Sequence, residues 1–322
     1  MGDDVSINVD NENFVRAETN RMFAGLQASA GGVNSWNHYR RPTPLDQQTI
    51  IRMNRDTLYS LAVVDITRGA TVTVPESGDR YLSVMVIDQD HYVNRIFHEP
   101  GTYELTMDEL DTPYVALGAR VLLDETDPED LTRVHQIQDG LVIAAESAEP
   151  FELPHYDEPS FTATRTAILD RVRREGLASG THGMFGPRDE VDAEQHLLGT
   201  AAGWGGLPEH EAFYVSEEPH LPIGAYQVTV KDVPVDAFWS VTLYNADGFL
   251  EPNSLGRYSV NSVAGEKNRD GSITVRFGGD ETLPNVLPLT DGWNYLVRLY
   301  RPRPEILDGT WRFPSLERTT EE

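Results

Sequence analysis

Apolar residues recur at helical spacing near the N-terminus and at alternate positions through two later stretches of the chain. Between Asn11 and Ala30, Phe14, Ala17, Met22 and Leu26 recur at roughly helical spacing, and Gly31-Gly32 supplies a stop. The following polar stretch, Asn34 to Asn54, contains Pro42 and Pro44 and reads as an ordered loop. From Thr57 the period shortens. LYSLAVVDI (58–66), TVTV (71–74), YLSVMVID (81–88), TYELT (102–106) and YVALGARVLL (114–123) are rich in Val, Ile, Tyr and Thr, with turn clusters between them. Asp127-Pro128-Glu129-Asp130 has the chemistry of a helix start, with acids to complement the dipole. Helical pattern then predominates to about Ala202, best in Phe161–Leu177 and Glu190–Ala202. Strand pattern returns after Gly203-Trp204-Gly205-Gly206, in AFYV (212–215), AYQVTV (225–230), FWSVTLYN (238–245), RYSVN (257–261), SITVRF (272–277) and YLVRLY (295–300).

Many short strands punctuated by turn residues predict a mainly β protein with α-helices. The expected architecture is two jelly-roll-like β-sandwich lobes flanking a helical segment, plus an N-terminal helix. The boundaries expected are 1–34 for the helix and arm, 35–126 for the first lobe, 127–203 for the helical segment and 204–322 for the second lobe.

Charge narrows the environment. Asp and Glu number 52 against 26 Lys and Arg, a formal charge of −26, and only Lys231 and Lys267 are lysines. Such a field repels nucleic-acid phosphates and anionic lipid, so neither partner is expected. Acid excess with few lysines fits a salt-rich cytosol, and equally a high-GC genome that replaces Lys with Arg. The chain has no cysteine, which removes disulfides, thiolate zinc sites and cysteine nucleophiles. No leader pattern and no long apolar run is present, so the expectation is a cytoplasmic protein, as a monomer or a homo-oligomer.

Asn54-Arg55-Asp56-Thr57-Leu58-Tyr59-Ser60 followed by DRYLSVMVID resembles the bacterial domain of unknown function 1254. GTAAGWGGLPE (199–209), FWSVTLYNADGFLEPN (238–253), RYSVNS (257–262) and GWNYLVRLYRPRPEILDGTW (292–311) resemble its usual partner, domain of unknown function 1214. The resemblance implies two jelly-roll-like sandwiches around a helical part. It implies no catalytic mechanism.

The candidate chemistry lies at element ends. Asn54, Arg55, Asp56 and Tyr59 lead into a strand, where Arg55 would bind an anion and Asp56 act as a base or a metal ligand. The plainer alternative is an Arg–Asp pair pinning the loop. Asp88, Asp90, His91, Asn94, His98 and Glu99 could serve a hard cation or form a solvated strand end, without fixed ligand spacing. No metal and no cofactor is expected. Asp192 and His196 share a helix face, suited to a carboxylate-oriented base or to a surface hydrogen bond. Trp204 stands among glycines that either admit a ligand or pass a crowded corner. Asn245, Arg257, Tyr258 and Asn261 gather around a turn and would hold a sugar or carboxylate, or simply stabilise that turn. The functional expectation is an enzyme on a small polar or sugar-like molecule, with Asp56 and His196 moving protons at a site where these segments converge. A non-catalytic carbohydrate or polar-ligand binding module, or a jelly-roll assembly protein, is the alternative.

Overall fold

The computed structural model describes residues 6–48, 50–176 and 181–319. Leu177, expected to close a helix, and Thr320–Glu322 lie outside the described residues. The chain forms two compact units. The first takes the chain up to Arg40, Tyr59–Leu122 and Thr132–Glu209; the second takes Arg41–Leu58, Leu123–Leu131 and the chain from His210 onward. This division differs from the four consecutive segments expected, because two short pieces of the N-terminal half are built into the second unit.

In the first unit, helix α1 (Phe14–Ala30) starts after Asn13 and stops at Gly31, whose left-handed φ of 77° returns N–H groups to the last carbonyls. Strands β1 (Asn37–His38), β2 (Thr57–Asp65), β3 (Ala70–Val74), β4 (Leu82–Ile87), β5 (Val93–Phe97) and β6 (Gly101–Leu105) follow in turn. A short helix α2 (Met107–Leu110), strand β7 (Tyr114–Leu122), helix α3 (Asp130–Asp139) and strand β8 (Val142–Ala145) come next. Helices α4 (Glu158–Glu175) and α5 (Ala193–Gly203) complete the unit. The sheets run β1-β2-β7-β4-β5 and β6-β3-β8. Strands β4 and β7 are buried almost throughout, which explains their continuous rather than alternating apolar sequence. Phe14 and Ala17 of α1 pack with Phe161 and Ile168 of α4 and Leu197 and Leu198 of α5. Among the described residues, the region expected to be helical over 127–202 thus holds three helices and the strand β8, whose Val142–Ala145 pair with Ala70–Thr73.

The second unit contains β9 (Ala212–Glu217), β10 (Tyr226–Val230), β11 (Trp239–Tyr244), β12 (Ser259–Asn261), β13 (Ile273–Phe277), β14 (Val286–Leu287), β15 (Asn294–Tyr300), α6 (Pro304–Leu307) and β16 (Glu317–Arg318). Its two sheets run β14-β13-β10-β16 and β12-β11-β15-β9. Trp239, Val241 and Leu243 of β11 and Val297 and Leu299 of β15 share a core with Val228, Val275 and Phe277 of the other sheet. Strand alternation sends the remaining residues to the opposite face. There Ser240 stands opposite Arg298 on one side and Asn261 on the other, and Thr242 stands opposite Ser259. Ser240 and Thr242 are fully buried and Arg298 is 3 % exposed, so this is a covered polar layer rather than a wetted surface. The described residues give a mainly β protein of open sheets with an N-terminal helix.

Candidate functional site

Residues 52–56 cover the polar face of the β12-β11-β15-β9 sheet. Asp56 is 2 % exposed, and its carboxylate accepts from the hydroxyls of Ser240 and, at 2.8 Å, Ser259. Asn54 donates to Tyr300 Oη at 3.0 Å. The Tyr244 hydroxyl donates to the Met53 carbonyl at 2.8 Å. Arg298 donates to Thr242 Oγ1 (2.9 Å), Tyr244 Oη (2.8 Å) and the Arg52 carbonyl (2.7 Å). Burial works against the Arg298 charge, but the phenol oxygens of Tyr244 and Tyr300 and the Asp56 carboxylate outweigh it, so the guanidinium pKa rises. A buried polar layer holds together only when its groups are paired, and here hydroxyls, carbonyls and one carboxylate do so.

Two clefts open beside this layer. The first, about 220 Å³, is lined by Arg55, Asp56, Glu125, Arg257, Ser259 and Asn261 among others. The second, about 300 Å³, is lined by Asn245, Arg257, Tyr258, Pro252, Pro288 and Leu289 among others. Arg257 stands in the wall of both. The Arg55 guanidinium lies 5.1 Å from the centre of the Tyr258 ring, so an Arg–Tyr stack completes the partition.

Within the partition the cations differ. Arg55 is ion-paired with Glu125 at 2.9 Å and donates to the Thr43 carbonyl at 3.1 Å. Burial raises the pKa of the Glu125 carboxyl, Arg55 draws it back down, and the Asp56 charge pushes it up again. Arg257 is half-buried and makes no ion pair among the described residues; its one hydrogen bond is a long one, 3.4 Å, to the Val286 carbonyl. Its backbone is held by Asn253, which donates to the Arg257 carbonyl at 2.9 Å and accepts from its N–H at 3.2 Å. Asn261 is 9 % exposed; its Oδ1 accepts from Val263 and Ala264 N–H at 2.9 and 2.8 Å, while its Nδ2 has no partner among the described residues. Tyr258 is likewise 9 % exposed, with no hydrogen bond to its hydroxyl among the described residues. Three uncommitted donor groups therefore border the clefts: a guanidinium, an amide and a phenol.

The structure thus groups Asn54, Arg55, Asp56, Arg257, Tyr258 and Asn261 in the second unit. Asn245 lines the larger cleft, but its Oδ1 serves the turn, accepting from Asp247 and Phe249 N–H at 3.1 and 3.0 Å. Glu125, Ser259 and Arg298 were not singled out as site residues. For Ser259 a signal existed, since Arg257, Ser259 and Asn261 are spaced by two. Arg298 carried the same signal, between Val297 and Leu299. Glu125 carried none.

Tyr59, His196 and Trp204 belong to the first unit. Tyr59 lies under the Arg120 guanidinium at 5.3 Å. His196 is 4 % exposed, with Nδ1 2.8 Å from the Met184 carbonyl and Nε2 3.0 Å from that of Asp90. Both nitrogens face backbone, which leaves neither turned to a substrate. Asp192 does not orient His196; it caps α5, accepting from Glu194 and Gln195 N–H. Trp204 donates to Thr19 Oγ1 at 3.1 Å and stacks on His91 at 5.2 Å. His91 is fully buried, and burial together with the neighbouring His196 pushes its pKa well down. Its Nε2 accepts from Gly205 N–H at 2.9 Å, so the proton sits on Nδ1, 2.7 Å from Thr200 Oγ1. In this loop Gly206 serves packing, since a Cβ on it would fall 2.2 Å from the Phe185 ring. The Asp88–Asp90 carboxylates are also committed. Asp88 accepts from Asp90 N–H, Tyr92 N–H and Asn94 Nδ2, each at 2.9 Å, and Asp90 takes a two-pronged pair from Arg16.

Both matched modules contribute to the clefts. Residues 33–102 match the family described as Protein of unknown function (DUF1254), and residues 217–304 that described as Protein of unknown function (DUF1214). The chain pairs the two in the order that its motifs implied, and the matched regions meet inside the second unit, at Asp56 with Ser240 and Ser259. The chain is similar in fold to the VPA0106 protein from Vibrio parahaemolyticus, with 17 % identity, a TM-score of 0.73, and coverage of 96 % of this chain and 98 % of that one. An uncharacterised protein from Burkholderia cenocepacia gives 18 % identity and a TM-score of 0.49, over 90 % and 83 % of the two chains. No curated protein matches the chain.

Proposed function

We propose that the second unit binds a small hydroxylated molecule carrying one carboxylate, seated on Arg257. The observation that carries this reading is the state of Arg257: a half-buried guanidinium, fixed by its backbone, bordering two clefts and paired with no carboxylate of the described chain. Arg matches a carboxylate with two parallel N–H donors, and such charge-assisted bonds are the strong ones. Asn261 Nδ2 and Tyr258 Oη add donors for hydroxyl or carboxylate oxygens. Glu251, Glu266 and Glu281 stand in the cleft walls, suited to accept from hydroxyls and hostile to a second negative charge.

The test is a thermal-shift and calorimetric panel of gluconate, galacturonate, glucose and inorganic phosphate. Gluconate or galacturonate should raise the melting temperature and glucose should not. Arg257→Met should abolish the binding with the unliganded melting temperature nearly unchanged. Binding that survives Arg257→Met contradicts the proposal.

One observation favours a second reading, an acid–base enzyme in the smaller cleft. Asp56 and Glu125 line it together, and burial with the Asp56 charge favours the protonated form of Glu125. A bound acid consumed only by a chain with Glu125 intact would move the assignment from binding to catalysis.

A further inference from the structure

Each cleft by itself is small. Their volumes, about 220 and 300 Å³, lie at or below the lower end of ligand pockets, near 300 Å³. Arg257 lines both, and the stack of Arg55 on Tyr258 joins a wall residue of the smaller to a wall residue of the larger. The smaller is lined by Asn261, whose Nδ2 has no hydrogen bond among the described residues; the larger is lined by Tyr258, whose hydroxyl has none among them. The two sides differ in character. The smaller has Asp56, Ser259 and Asn261, groups that exchange hydrogen bonds with hydroxyls. The larger has the faces of Pro252, Pro288 and Leu289, which suit the apolar face of a sugar ring, and Glu251 and Glu281 to accept from ring hydroxyls.

We infer that the two clefts are subsites for one molecule of two sugar-like units, a mono-acidic disaccharide whose single carboxylate sits on Arg257 at the partition. This rests on the reading of Arg257 as the carboxylate anchor and adds the size of the ligand and its division between the clefts. A ligand with two carboxylates is disfavoured, because its second charge would meet Glu251, Glu281 or Glu266.

The test compares gluconate with cellobionate, which has the same single carboxylate and one further sugar ring, by titration calorimetry. Cellobionate should bind about tenfold tighter, since one extra hydrogen bond with ring contact contributes on that scale. Two substitutions probe the clefts separately while sparing the fold. Tyr258→Phe keeps the ring beneath Arg55 and removes the hydroxyl. Asn261→Asp keeps the acceptor for Val263 and Ala264 N–H and removes the amide donor. Each should weaken cellobionate by roughly fivefold or more, as expected for one lost hydrogen bond. Gluconate should respond to only one of them. If gluconate and cellobionate bind equally, or if one substitution leaves cellobionate untouched, the two-subsite inference is overturned while the Arg257 reading stands. If Arg257→Met leaves gluconate binding intact, both fall.

Discussion

At the residue scale, the two arginines of the partition illustrate how similar side chains come to different uses. Arg55 is spent on Glu125 and Tyr258, whereas Arg257 is held in place by Asn253 and makes no ion pair among the described residues. Sequence reading drew both as anion binders, because residue type does not reveal which cation already has a partner. It could not find Glu125, since nothing in Asp124-Glu125-Thr126 distinguishes a cleft residue from an acidic turn. Glu125 yields a prediction with a definite sign. Burial raises its pKa, Arg55 lowers it and Asp56 raises it. Arg55→Met should therefore push the titration higher and Asp56→Asn should bring it down, read from the side-chain carboxyl carbon by NMR. Because the folded pKa exceeds the unfolded one, the contribution of Glu125 to stability is fully present below its unfolded pKa. It is lost as pH rises through the folded value. An opposite order of the two variants would show that Arg55 and Asp56 do not act on Glu125 as drawn.

At the element scale, strands with strong Val, Ile and aromatic content were legible, including β2, β4, β7, β11 and β15. Strand β5 was not, because Asn94 and Arg95 break its apolar pattern, and β8 was hidden inside a stretch that otherwise reads as helix. The pattern RYSVN predicts a strand from Arg257, two residues before β12 begins. Arg257 and Tyr258 precede the strand, in the turn that Asn253 holds, and this irregular backbone brings them to the clefts. The loop after α5 gave two open readings, ligand approach or a crowded corner, and the geometry is a crowded corner. Gly206→Ala should cost about 1–3 kcal/mol through overpacking against Phe185, measured by chemical denaturation. Phe185→Leu in the same chain should recover part of that loss. A neutral Gly206→Ala would mean that the loop moves aside at no cost.

At the scale of the whole molecule, the mainly β class and the N-terminal helix followed from local periodicity. The assignment of 41–58 and 123–131 to the second unit did not, because it depends on long-range bonds such as Asp56 to Ser240 that no local pattern encodes. Net charge acts at this scale too. With −26 on the chain, screening should relieve self-repulsion, so the melting temperature is expected to climb as potassium chloride rises from low to molar concentration. A flat or falling trend would leave the arginine-for-lysine bias as a matter of genome composition alone. The central claim concerns a single side chain, and the most direct measurement follows the arginine side-chain N–H resonances while gluconate is added. The Arg257 Nε–H signal should shift and saturate, with that of Arg298, buried among Thr242, Tyr244 and the Arg52 carbonyl, staying in place. Saturable binding with an unmoved Arg257 signal would contradict the claim.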